Sequence, residues 1–170
     1  MTQLKLEPFF MSPTYTHVLA SLKQMDAATL TFHRGIEKEG LRVNADTSIS
    51  QQPHQVALGS ALTHPYITTD YSEALLEFIT PVKESAQEVL SFLQTAHSVT
   101  YQNIGDELIW PASMPGLIED ELDVPIAQYG SSNIGTLKLV YRHGLWHRYG
   151  RKMQCLAGLH YNFSLSESLW

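Results

Sequence analysis

A single cysteine, Cys155, is the whole thiol content of this chain. That excludes an internal disulfide framework and fits a reducing compartment. Positive charge is also scarce: Lys and Arg total 11 against 17 Asp and Glu, a formal net charge of -6. No cluster of Lys or Arg interrupts this balance, which argues against a nucleic-acid partner. No apolar run approaches the ~20 residues of a membrane-spanning helix. Residues 1–13 lack a long apolar stretch and a small-residue cleavage site, so no signal peptide is read there and the expected address is the cytoplasm. Phosphate-binding glycine signatures are missing as well. Neither Gly-x-x-x-x-Gly-Lys-Ser/Thr nor Gly-x-Gly-x-x-Gly occurs, so any ATP would be held by neither a P-loop nor a Rossmann turn. There is no Gly-x-Ser-x-Gly elbow, no His-Glu-x-x-His and no Cys pair, and the 8 histidines form no zinc spacing.

What is present suffices for one core. The chain has 170 residues, 44% of them hydrophobic and 10% aromatic, a globular composition. Val18, Leu19, Leu22 and Met25 recur at helical spacing and predict a helix over 14–30. Phe32 to Val43 reads as a strand, followed by a polar loop or short hairpin over 44–55 and a second strand over Leu75 to Thr80. The next helix is predicted over 86–104, with Ser85-Ala86-Gln87-Glu88 as a capping box and Gly105 as its stop. Its apolar stripe would be Val89, Leu90, Leu93, His97, Tyr101 and Ile104. Residues 110–135 are rich in Pro and Gly and read as loop, and a third helix follows over 136–149. Met153 to Leu165 alternates with period 2, which predicts a long strand with Met153, Cys155, Ala157, Leu159, Tyr161, Phe163 and Leu165 on one face and Gln154, His160, Asn162 and Ser164 on the other. The fold class is α+β.

Acidic residues stand inside these apolar segments. Glu37 and Glu39 sit two apart in the first strand and so face the same side. They read either as ordinary solvent-facing strand residues or as a cation site, with Gly35 and Gly40 allowing close approach. Asp70 reads as a turn cap or a ligand. Glu77 lies among Leu75, Leu76, Phe78 and Ile79, where a carboxylate needs a metal ion or an ion-pair partner. His160 reads as a hydrogen-bonded structural residue or a ligand, and Cys155 as core. Tyr141-Arg142 suits either a carboxylate-holding pair or a surface stripe.

Taken in order, Arg34-Gly35-Ile36-Glu37-Lys38-Glu39, Leu41-Arg42-Val43-Asn44, Ala57-Leu58-Gly59-Ser60-Ala61-Leu62-Thr63-His64, Ile67 to Pro81, Trp110-Pro111, Ser113-Met114-Pro115, Ala127 to Asn133, Tyr141-Arg142, Arg148-Tyr149-Gly150 and Gly158 to Ser164 resemble the glutamate–cysteine ligase (γ-glutamylcysteine synthetase) family in its proteobacterial form. The resemblance spans about residues 31–166. It implies a glutamine synthetase-like fold, an antiparallel sheet funnel with flanking helices, incomplete in this chain. It divides the chain into a poorly matching helical segment, 1–30, and the N-terminal part of a ligase catalytic domain, 31–170. It implies ATP-dependent joining of L-glutamate to L-cysteine through a γ-glutamyl phosphate, the first step of glutathione synthesis.

The resemblance also implies Glu37, Glu39, Asp70, Glu77 and His160 as ligands of Mg²⁺ (or Mn²⁺), and Tyr71, Tyr141 and Arg142 as substrate contacts. Tyr71 departs mildly from the family, where Phe is usual, as does Gly40. The implied partners are the small molecules glutamate, cysteine and ATP, with no nucleic acid and no membrane, and the full-length enzyme is expected to be a monomer. The family's longer chains lead to the expectation that this one is a fragment, inactive alone. The alternatives left open are a related carboxylate–amine ligase with another acceptor and a truncated product without turnover.

Overall fold

The computed structural model describes residues 13–24 and 30–167. The chain divides into two compact units: Met1–Phe32 with Ser164–Trp170, and His33–Phe163. In the first unit, helix α1 covers Pro13–Gln24, and the backbone N–H of Ser166 donates to Thr31 O at 3.1 Å. Residues 25–29 of the helix expected to residue 30, and Trp170, lie outside the described residues, and Leu30 is not helical.

The second unit is built on a 5-stranded sheet. Its strands are β1 (Phe32–Val43), β2 (Ile67–Thr69), β3 (Leu75–Ile79), β4 (Leu108–Ile109) and β5 (Leu159–Leu165). β3 lies between β2 and β1, and β1 also pairs with β4 and β5. β1 pairs antiparallel with β3 and with β4, and β2 pairs antiparallel with β3; the helices are α2 (Ala86–Tyr101) and α3 (Asn133–Tyr149). The structure is thus α+β around an antiparallel sheet, as read from the sequence.

The sheet separates two apolar layers. On one side Leu76 and Phe78 of β3 pack with Leu93 and Ala96 of α2, and with Leu58, Ile67, Ile104 and Ile109. On the other, Leu41 and Val43 of β1 and Leu75 of β3 pack with Tyr71, Val124, Ile126, Cys155 and Ala157, flanked by Leu139, Leu145 and Trp146. The alternation along β1 and β3 divides their side chains between these layers.

Ser85 is the N-cap of α2, but its side chain makes no capping bond. Of the predicted stripe, Leu90 and Tyr101 are exposed, while Ala96 and Thr100 are buried in their place. The face of the helix that is buried holds Val89, Leu93, Ala96 and Thr100. α3 begins at Asn133 instead of 136 because the Ser132 hydroxyl accepts from Gly135 N at 3.1 Å, a cap that fixes the start. The long strand over 153–165 is shortened. Lys152–Cys155 forms a 3-10 turn, and the strand begins at Leu159. Cys155 and Ala157 are buried, whereas Leu159, Tyr161 and Phe163 are exposed. Period 2 over 153–158 therefore came from a turn that drops Cys155 into the core.

At Gly135 the usual effect of alanine in a helix reverses sign. A Cβ there would lie 2.5 Å from Tyr129 O and 2.8 Å from Gly130 O, and backbone cannot give way as a side chain would. Gly→Ala normally favours a helix by about 1 kcal/mol. Gly135→Ala is instead expected to destabilise by about 1–3 kcal/mol, read as a lower urea midpoint.

Candidate metal and phosphate site

The apolar layer under Leu41 and Leu75 turns acidic farther along the same strands. Glu37 and Glu39 share the face of Leu41 and Val43, and Glu77 shares the face of Leu75. The β1–β3 register sets Glu39 directly opposite Glu77. β2 sets Thr68 opposite Glu77 as well, and Asp70 follows two residues later, just past the end of β2. The backbone of Asp70 is held tightly. Its N–H donates to Leu75 O at 3.0 Å, and its carbonyl accepts from Arg142 Nε at 2.8 Å and Nη2 at 2.5 Å. The Tyr129 hydroxyl donates to Thr69 O at 2.8 Å.

β5 brings the fifth residue. His160 Nε2 lies 3.9 Å from Glu39 Oε1. The Glu39 carboxylate also accepts from Gly158 N at 2.7 Å, and Glu37 Oε1 accepts from Asn162 Nδ2 at 3.0 Å. Glu37, Glu39, Asp70, Glu77 and His160, scattered over 124 positions, thus act on one another. Burial raises the Glu77 carboxyl above the ordinary range, and the charges of Asp70, Glu39 and Glu37 raise it further. Glu39 is raised by burial first, opposed by the Gly158 hydrogen bond, then raised by Asp70.

This electrostatic pattern is that of a site short of positive charge. Carboxylate oxygens with one imidazole suit a hard divalent cation in kind. Among the described residues, no three His, Cys, Asp or Glu side chains close on a single point as they stand, so the donors share a face without forming a finished cage.

The expected substrate contacts fall in different settings. Tyr71 is 2% exposed within the apolar layer, and its hydroxyl is buried without a hydrogen-bond partner among the described residues. Arg142 is buried, stacks 4.7 Å over the Tyr129 ring, and braces Asp70 through its carbonyl. Tyr141, the next residue back on α3, is exposed. Gly158 and Asn162 were not assigned by sequence reasoning. The available signal was their shared strand parity with His160.

A family model described as glutamate-cysteine ligase matches residues 19–170. This chain belongs to the glutamate–cysteine ligase family. It is 60% identical over 145 residues to the glutamate–cysteine ligase of Alcanivorax borkumensis, covering 85% of this chain and 28% of that one. It is 49% identical over 160 residues to the glutamate–cysteine ligase of Sodalis glossinidius, covering 94% and 31%. Among solved structures, the glutamate–cysteine ligase of Francisella tularensis in complex with AMP superposes with a TM-score of 0.80 at 42% identity, over 83% of this chain and 28% of that one. A bifunctional glutathione synthetase from Pasteurella multocida gives 0.74 at 33% identity, over 92% and 19%. The chain spans less than a third of the length of these relatives.

For this ligase-family segment the raised carboxyls give a pH signature. A carboxyl raised by folding contributes stability below its ordinary value of 4.5. That contribution is lost as pH rises through the raised folded value. The metal-free double variant Glu39→Gln/Glu77→Gln is therefore expected to gain on the parent as pH rises from 4.5 towards 7. Urea midpoints of the two proteins across that window, compared at each pH, check this; a constant difference contradicts it. The comparison removes the opposing background of His54 and His97, which burial holds below the usual imidazole value.

Proposed function

We propose that this chain supplies the N-terminal part of the catalytic domain of an ATP-dependent glutamate–cysteine ligase. The reading rests on one observation: Glu37, Glu39, Asp70, Glu77 and His160 gather on one sheet face in a chain of this family. In the proposed reaction a γ-carboxylate oxygen of L-glutamate attacks the γ-phosphorus of ATP and ADP leaves. The amine of L-cysteine then attacks the acyl carbon of the γ-glutamyl phosphate. Phosphate departs, the amine loses a proton and the amide bond is made. These five side chains would hold Mg²⁺, or Mn²⁺ in its place, which when bound offsets charge on the phosphates.

The chain's own residues account for the rest of what this part contributes. β1 and β3 carry the carboxylates at fixed register, and Arg142 and Tyr129 hold the Asp70 backbone. In the AMP-bound Francisella relative the nucleotide is named as ligand, which supports ATP as the phosphoryl donor here. Tyr71 and Tyr141 are proposed to border the cysteine pocket and Arg142 to support the substrate side of the site. The full-length enzyme is proposed to be a cytoplasmic monomer. Among the described residues, no helix is long and apolar enough to cross a membrane.

The test is ADP release with Mg²⁺, ATP and glutamate, with and without cysteine, on this chain and on the chain extended to the family's length. Cysteine-dependent release by the extended chain alone is expected. Release dependent on a different amino acid would replace cysteine with that acceptor. No release from either would overturn the reading.

A further inference from the structure

The strand opposite the Glu37–Glu39 pair does more than bring His160. The contacts of β5, and of Gly158 just before it, with β1 run in opposite directions along the chain, Glu37 meeting Asn162 and Glu39 meeting Gly158. Gly158 engages Glu39 twice. Its carbonyl accepts from Glu39 N at 2.9 Å, and its own N–H donates to Glu39 Oε2 at 2.7 Å. Asn162 Nδ2 donates to Glu37 Oε1 at 3.0 Å. One oxygen of each carboxylate is thereby fixed, and the second makes no hydrogen bond among the described residues.

Space matters at Gly158 as much as the donor. A Cβ there would lie 2.8 Å from His160 Nε2 and 3.2 Å from Glu39 Oε1. Any larger residue would push on a carboxylate and an imidazole that the site needs side by side. A Cβ would be accommodated by moving the ends of the His160 and Glu39 side chains away from the places they hold beside the glycine.

A glutamate side chain that must stop rotating to bind an ion loses conformational freedom. A carboxylate already tied to a strand by one oxygen has met much of that cost. We propose that Gly158 and Asn162 are positioning residues for the Glu37–Glu39 pair, holding one oxygen of each so that the other is presented to a divalent cation. This rests on the ligand assignment proposed above. Neither residue touches the ion itself; they act through the carboxylates, as outer-shell partners of metal ligands do.

The test uses the chain extended to full family length, with Mn²⁺ as the probe, its affinity followed by water-proton relaxation. Asn162→Leu keeps the side chain's approximate shape and removes the donor. Gly158→Ala keeps the donor and fills the space. Each is expected to weaken Mn²⁺ binding about tenfold, leave the thermal midpoint near that of the parent, and raise the metal concentration for half-maximal ADP release while kcat at saturating metal stays within about twofold. If Gly158→Ala does not fold, Asn162→Leu alone decides, since its side chain is exposed and its loss leaves the core intact.

Unchanged Mn²⁺ affinity in Asn162→Leu, with Glu37→Gln still losing it, overturns the positioning role and leaves the ligand assignment standing. Unchanged affinity in Glu37→Gln and Glu39→Gln as well overturns the assignment beneath it.

Discussion

Replacing Arg42 by Met is expected to cost about 3–5 kcal/mol of stability. Arg42, near the end of β1 where it pairs with Ile109 of β4, is 0% exposed. Its Nη1 donates to Glu107 Oε2 at 2.7 Å, and its Nη2 donates to the carbonyls of Gln52 and Glu73 at 2.8 Å each. The Ser50 hydroxyl donates to the other Glu107 oxygen. Removing the guanidinium would strand a buried carboxylate, the buried Glu73 carbonyl and the part-buried Gln52 carbonyl, and a buried charge without a partner costs more than the pair ever contributed. Small domains have only about 5–15 kcal/mol in all, so the variant is expected to unfold at a much lower urea concentration. Arg42→Met/Glu107→Leu should recover most of the loss, because it removes the stranded charge. A single variant within about 1 kcal/mol of the parent would mean that water reaches Arg42.

Glu77→Gln is expected to move activity and stability in opposite directions. In the chain extended to family length, loss of one proposed ligand should lower kcat by about 10²–10³, a barrier increase of roughly 3–4 kcal/mol. In the 170-residue chain without metal, the same change should raise the thermal midpoint at pH 7. There the charged form of the carboxyl is opposed by burial and then by Asp70, Glu39 and Glu37, and the amide carries no charge to oppose. The opposite signs are what separate the roles. A structural carboxylate would lose both activity and stability, and a surface one would change neither. Paired kinetics and thermal melts on Glu77→Gln distinguish the three.

The parts of this protein that its sequence determined are those governed by near neighbours. β1 runs from Phe32 to Val43 as its pattern predicts, because strand alternation is a local property, and for the same reason Glu37 and Glu39 share a face. The Ser132 cap and the buried turn at Cys155 escaped the pattern. Helix starts depend on one hydrogen bond, and alternation over six residues cannot distinguish a strand from a turn followed by an extended run.

Tertiary structure alone decided what lies opposite what. Glu39 meets Glu77 because β1 and β3 pair in one register out of many, and a slip of one residue would send the carboxylates to opposite faces. Gly158 and Asn162 reach the Glu-x-Glu pair across more than a hundred residues of chain. In the sequence Arg42 is one polar residue in a motif, and only the closing of Glu107 and the Gln52 and Glu73 carbonyls around it gives its buried charge partners. Residue type and parity are written in the chain locally; register, burial and partnership arise only when distant segments are brought together, since each depends on contacts that no sequence window contains.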